Sequence, residues 1–247
     1  MATLATDSNM LASVVGIVAL ALAPLAFLLW FFYTRDKLNP EPRGLVMKIF
    51  GLGLLAFIPV FLVRQFVPLP PGVMAVVVVP ILAELAKFGV VKRGVYFHPE
   101  FDEPVDGIIF AAAAGLGFAT LQVMGSMLYA YFAVIRLGPG TAAGAAWPAV
   151  LTMFALQGLL AGPGHALWSS LWGYALGMAK FSGPPGRGAG LVGNGLLAAM
   201  ASHATFNALA LESSWWLNRL GLVLVIGVLW FVVLRCLRYA LSRSPLD

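Results

Sequence analysis

Hydrophobic residues come in runs of about twenty, long enough for an α-helix to cross the hydrocarbon of a bilayer. The runs fall near 11–33, 44–67, 73–96, 107–135, 142–160, 165–181, 191–211 and 215–241. The pattern predicts an all-α, polytopic transmembrane helix bundle of about eight helices. Turn chemistry separates them: "PLPPG" at 68–72, Gly-Pro-Gly at 138–140 and again at 162–164, and "SGPPGRGAG" at 182–190. No linker or composition shift divides the chain, so residues 1–247 read as one domain. No Lys or Arg precedes the first run, which is long enough to span and reads as a retained helix.

Two connections are polar, "TRDKLNPEPRG" at 34–44 and "HPEFDEPVDG" at 98–107. Arg35, Lys37, Arg43 and Lys48 border the first, and Lys92 and Arg93 the second. Basic loops stay in the cytoplasm, so both face inward and the N-terminus lies outside. An even helix count then sets the C-terminal Arg235, Arg238 and Arg243 on the wrong side. Either the Gly- and Ala-rich stretch around 141–164 enters without crossing, or the tail departs from the rule.

Composition sharpens the class. The chain is 61% hydrophobic and 10% charged with a mean hydropathy of +0.92, against roughly 25% charged residues in soluble domains. The net charge of +5 sits at the ends of apolar runs, where it serves orientation and lipid contact and forms no nucleic-acid face. The single Cys236 excludes an intrachain disulfide.

Chemistry enters with the polar residues inside these helices. A charge at the bilayer centre costs on the order of 2.5–3.5 kcal/mol, so it faces the bundle interior with a partner. In "VVVVPILAELAKFGVVKR", Glu84 and Lys87 stand three residues apart, as an ion pair on one helix face would. His203 and Asn207 are four apart and share a side of their helix, as do His165 and Ser169. Gln122 lies deep in another run. One such residue is ordinary interhelical glue. Six, on four helices, need a common destination, and a wet pocket between helices would satisfy their hydrogen bonds. A carboxylate, two imidazoles and an amide can activate water and hold an oxyanion. Glu84, His165 and His203 could equally hold zinc, with a position left for water.

These residues carry a resemblance. "PILAELAKFGVVKRGVYFHPEFDEPVDGIIFAAAAGLGFATLQ", "GHALWSSLWGYALGMA" and "SHATFNAL" resemble, in that order, the PrsW family of bacterial intramembrane proteases, relatives of the CAAX-processing membrane endopeptidases. The likeness runs from about Tyr33 to Leu211. The family's EExxK motif is matched by Ala83, Glu84 and Lys87, with alanine for the first glutamate; its FxxxE motif runs from Phe118 to Gln122, with an amide for the carboxylate. Its histidine motifs are matched at His165 and at His203 with Asn207, and its acidic connection at 101–107.

The resemblance implies an enzyme of the inner (plasma) membrane that hydrolyses a peptide bond in a single-span membrane protein such as an anti-sigma factor. A glutamate at position 83 or 84, aided by His165, would polarise water. His203 and Asn207 would hold the oxyanion, and Lys87 would orient the glutamate helix. Losing a positioned base costs about 10²–10⁴-fold, so Ala83 and Gln122 imply an impaired member of the family. Asp102, Glu103 and Asp106 are expected to cap the next helix. Two rivals remain: a proton-coupled transporter, which would favour inverted repeats, and a non-catalytic adaptor that binds transmembrane helices against small-residue faces such as 111–119.

Overall fold

A computed structural model describes residues 2–37, 39–136, 143–181 and 188–244, and of 2–9 and 143–144 the backbone alone. The turns expected at 138–140 and across 182–187 lie outside the described residues. Seven helices make up the bundle: α1 (Ala2–Tyr33), α2 (Arg43–Phe66), α3 (Pro71–Gly94), α4 (Asp106–Ile135), α5 (Trp147–Phe181), α6 (Gly188–Ala210) and α7 (Trp215–Leu241). Six are long and apolar enough to cross a membrane. The exception is α6, diluted by Asn194, Ser202, His203 and Asn207.

The count falls one short of the sequence expectation because Gly162-Pro163-Gly164 does not end a helix. α5 passes through it by way of a π-helical stretch, Phe154–Ala161. Proline lacks the N–H of the helical ladder and its ring crowds the carbonyl four residues back; a widened turn just ahead relieves both. α3 uses the same device, with π-helix over Met74–Val78 ahead of Pro80. There the Val79 N–H bonds to the Met74 carbonyl, and the next donor in that register would be Pro80, which has none. The Ala75 carbonyl is left over, and Asn207 Nδ2 on α6 donates to it at 2.8 Å.

α4 is the central helix. Every residue from Asp106 to Thr120 is buried, and 83% of its apolar window is enclosed against 22% for α1 and α2. It packs against α5, α2 and α1, while α6 lies on α5 and α7 on both. Apolar side chains gain nothing by leaving lipid for protein, so close backbone approach must supply the contact. Gly107 on α4 and Gly173 on α5 supply it: a Cβ on either would run into the carbonyl oxygen of the other. Gly115 meets the backbone of His165 in the same way, which brings that histidine to the middle of α4. Large side chains such as Phe27, Trp30, Leu55, Leu224 and Phe231 stay exposed on the outer faces, where lipid would cover them.

The polar connections meet at one end. Asn39 Nδ2 donates to Asp102 Oδ1 at 3.1 Å, and Lys180 Nζ at the end of α5 donates to the Tyr96 and Phe101 carbonyls at 2.9 and 2.6 Å. Asp106 does not cap its own helix as expected. Its Oδ2 accepts the N–H groups of Asp102 and Glu103, 2.8 and 2.6 Å away, and so holds the turn in front of α4. No protein donor reaches the buried Glu41 carboxyl. It meets the Asp106 carboxyl, a contact in which one of the two must carry a proton. Burial first, then Asp106, pushes Glu41 up to about 11, so Glu41 holds that proton.

Candidate active site

Three helices, α3, α5 and α6, converge on Glu84, which is fully buried on α3. Its Oε1 accepts Lys87 Nζ at 2.7 Å and faces His203 Nδ1 at 3.0 Å; its Oε2 accepts Trp172 Nε1 at 3.1 Å and Ser169 Oγ at 3.5 Å. Each oxygen thus has two partners, which is all a carboxylate can use. The ion pair expected from the three-residue spacing is present. A buried charge at membrane depth is tolerated when so completely bonded.

His165 on α5 joins the group from the far side of Lys87, with its Nδ1 3.4 Å from Nζ. Its other nitrogen, Nε2, lies 3.1 Å from Gln122 Oε1 on α4, and Gln122 Nε2 donates to Gln157 Oε1 at 3.1 Å. The two imidazoles stand perpendicular, 5.1 Å between centroids. Trp168 lies flat against His203 at 3.9 Å and meets Phe206 and His165 edge-on. Phe118 closes the side, its ring 5.0 Å from His165 and 5.4 Å from Lys87 Nζ. The Trp168 Nε1–H is buried with no partner among the described residues.

Ligand atoms of Glu84, His165 and His203 all lie within 4.8 Å of one another, so these three could hold a metal ion. One carboxylate and two imidazoles are a three-ligand set of the catalytic zinc kind. The fourth charged group, Lys87, stands among them.

The structure therefore brings together Glu84, Lys87, Gln122, His165 and His203. Asn207 sits one turn away, spending its amide on Ala75. Ala83 is fully buried against Ala56, Val60 and Phe118, turned from the Glu84 carboxylate toward α2. Trp172 and Gln157 went unnoticed in the sequence. For Trp172 a signal existed: His165, Ser169 and Trp172 follow one another at four and three residues, a single helix stripe. For Gln157 there was none, because the π-helical stretch that carries it changes which way it faces.

Comparison with known proteins gives the family. Protease PrsW of Geobacillus kaustophilus is 30% identical over 230 residues, 91% of this chain and 92% of that protein. Protease PrsW of Bacillus subtilis is 31% identical over 178 residues, 70% of this chain and 72% of that protein, and that of Halalkalibacterium halodurans 32% over 166 residues, 65% and 68%. No solved structure matches the chain. The family described as PrsW family intramembrane metalloprotease matches residues 41–235, a span that includes the acidic connection, every residue of the buried cluster and most of α7. By the family match over most of its length and by these relatives, the chain belongs to the PrsW family of intramembrane metalloproteases.

Proposed function

We propose that this protein is an endopeptidase that hydrolyses a peptide bond within a membrane-embedded, single-span protein, at the buried cluster of Glu84, His165 and His203. The observation that carries the reading is the convergence of these three residues, with ligand atoms within 4.8 Å, in the interior of an apolar bundle. Family resemblance points to anti-sigma factors as the substrate class.

The residues fit a zinc ion: one carboxylate and two neutral-capable imidazoles, with aromatic walls from Phe118, Trp168 and Phe206 to exclude bulk water. Such an ion, when bound, lowers the pKa of a water and polarises a carbonyl. The chain's own groups do the rest. Glu84 accepts the proton of the attacking water on Oε1 once Lys87 gives up that oxygen, and Trp172 and Ser169 hold its second oxygen and so its orientation. The unpartnered Trp168 N–H is free to donate to the substrate carbonyl, a role the sequence assigned to His203 and Asn207. Asn207 instead steadies α3 from below the site.

Ala83 and Gln122 weaken this machinery. Position 83 is one helical turn from Lys87. With alanine there, Glu84 is the lysine's one carboxylate partner among the described residues, and the ammonium competes with any metal for that oxygen. The protein is accordingly an impaired peptidase.

Counting the more polar α6 as a crossing alongside the six apolar helices gives seven, which resolves the charge conflict of an even count. Arg35, Lys37, Arg43, Lys92, Arg93, Lys180, Arg235, Arg238 and Arg243 then share one end, which is cytoplasmic in the plasma membrane, with the N-terminus outside.

The test is cleavage of a fluorescently labelled single-span peptide in liposomes, with zinc measured on the purified protein. Wild-type protein is expected to cleave slowly, and Glu84→Gln and His203→Gln to lose both cleavage and zinc. Zinc-free wild-type protein with unchanged cleavage would refute the metal reading; no cleavage by the wild type or by a variant carrying both Ala83→Glu and Gln122→Glu would refute the peptidase.

A further inference from the structure

Two glutamines, Gln122 and Gln157, run in a line from the candidate site toward the start of α5. Gln157 Oε1 accepts Gln122 Nε2 at 3.1 Å, and Gln122 Oε1 faces His165 Nε2 at 3.1 Å. Neutral imidazole carries one proton, and the nitrogen that holds it is decided by what the other ring atoms meet.

Two constraints act on His165 from opposite sides. On one side stands Lys87 Nζ, 3.4 Å from Nδ1. An ammonium has donors alone, so it favours a lone pair at Nδ1 and the hydrogen at Nε2, but at 3.4 Å it does so weakly. On the other side that hydrogen needs an acceptor. The Gln122 side chain offers either its oxygen or its NH2 to His165, according to how the amide is turned. Turned with the NH2 toward Nε2, it would set donor against donor. In the structure the Gln157 oxygen takes the Gln122 NH2, an arrangement that keeps the Gln122 oxygen toward His165.

We propose that Gln157 is a positioning residue of the site: by fixing the Gln122 amide it holds His165 as the Nε2–H tautomer, with the bare Nδ1 turned toward Glu84 and Lys87. The role rests on the peptidase reading for its use, since Nδ1 is then the atom free to bind a cation beside Glu84 and His203. The π-helical stretch Phe154–Ala161 is what delivers Gln157 to this point, so the wide turn ahead of Pro163 also orders the site. The amide at 122 has a built partner.

The experiment reads the tautomer directly, in metal-free protein and without activity. The chain has three histidines, so 15N-histidine labelling in lipid nanodiscs gives three ring systems, and His165→Gln identifies the signals of His165. Wild-type His165 is expected to be Nε2–H. Gln157→Leu frees the Gln122 amide and is expected to give a mixture of both tautomers, with zinc affinity falling about 10–100-fold, as for the loss of other orienting partners of metal-binding histidines. Gln157→Glu keeps an acceptor for Gln122 and is expected to restore the single tautomer and the affinity. Gln157→Ser, too short to reach Gln122, gives the same reading if the leucine variant does not fold. A wild-type Nδ1–H tautomer, or a Gln157→Leu protein still wholly Nε2–H, would overturn the proposal. Zinc failing to bind while the tautomers follow the expected pattern would support the positioning role and remove the metal reading instead.

Discussion

Ala83→Glu probes the lysine at the centre of the site. Position 83 lies four residues before Lys87 on α3, so a carboxylate there can reach the ammonium that now rests on Glu84 Oε1 at 2.7 Å. The new charge enters a buried cluster of Ala56, Val60 and Phe118, at a cost of roughly 2.5–3.5 kcal/mol on insertion scales. Attraction to Lys87 at about 4 Å returns ~4 kcal/mol at an effective dielectric near 20. The two nearly cancel, with ~1 kcal/mol in favour, so the variant should fold with little change in Tm. The consequence is local: Lys87 divides between two carboxylates and releases Glu84. Zinc affinity is expected to rise about tenfold, the equivalent of ~1.4 kcal/mol. Peptide cleavage in liposomes should rise by about 10²–10⁴-fold if position 83 also supplies the base. Competition against a chromogenic chelator reads the affinity and the labelled single-span peptide reads turnover. A folded variant with zinc affinity and turnover both unchanged would refute the reasoning that Lys87 is held on Glu84 for want of a carboxylate at 83.

Three further outcomes follow from the fold. Gly173→Val pushes a side chain into the Gly107 carbonyl and Ala111, and overpacking of this kind costs typically about 1–3 kcal/mol; an unchanged thermal midpoint in detergent would mean that α4 and α5 separate easily. Glu41 keeps its proton up to about 11 in the fold but loses it near 4.5 when unfolded, so the unfolded chain sheds a proton between those values that the folded one retains. Stability from this group is therefore complete below 4.5 and declines as pH rises toward 11; Glu41→Gln should flatten the fall of Tm with pH, and parallel curves would contradict it. Seven crossings, with α6 counted as one, would put Arg235, Arg238 and Arg243 in the cytoplasm, where a C-terminal green fluorescent protein should glow and a C-terminal alkaline phosphatase should stay inactive; the reverse pattern would remove one crossing.

By itself the sequence determined the membrane class, the helical fold and the family, because each is written in local or linear terms. Twenty-residue apolar runs need no partner to be recognised, and the order of the glutamate, histidine and acidic motifs survives without coordinates. The spacing of Glu84 and Lys87 likewise foretold their ion pair, since three residues along a helix lie on one face. Tertiary structure decided the rest. Gly162-Pro163-Gly164 has the composition of a turn, yet a π-helical stretch absorbs it, which changed the helix count. One widened turn sets Gln157 in a direction that no 3.6-residue period describes, onto Gln122, and the other frees the Ala75 carbonyl that Asn207 takes up. Which donors meet at Glu84 depends on α3, α5 and α6 crossing at a single depth, and glycine-to-backbone contacts between α4 and α5 determine that depth.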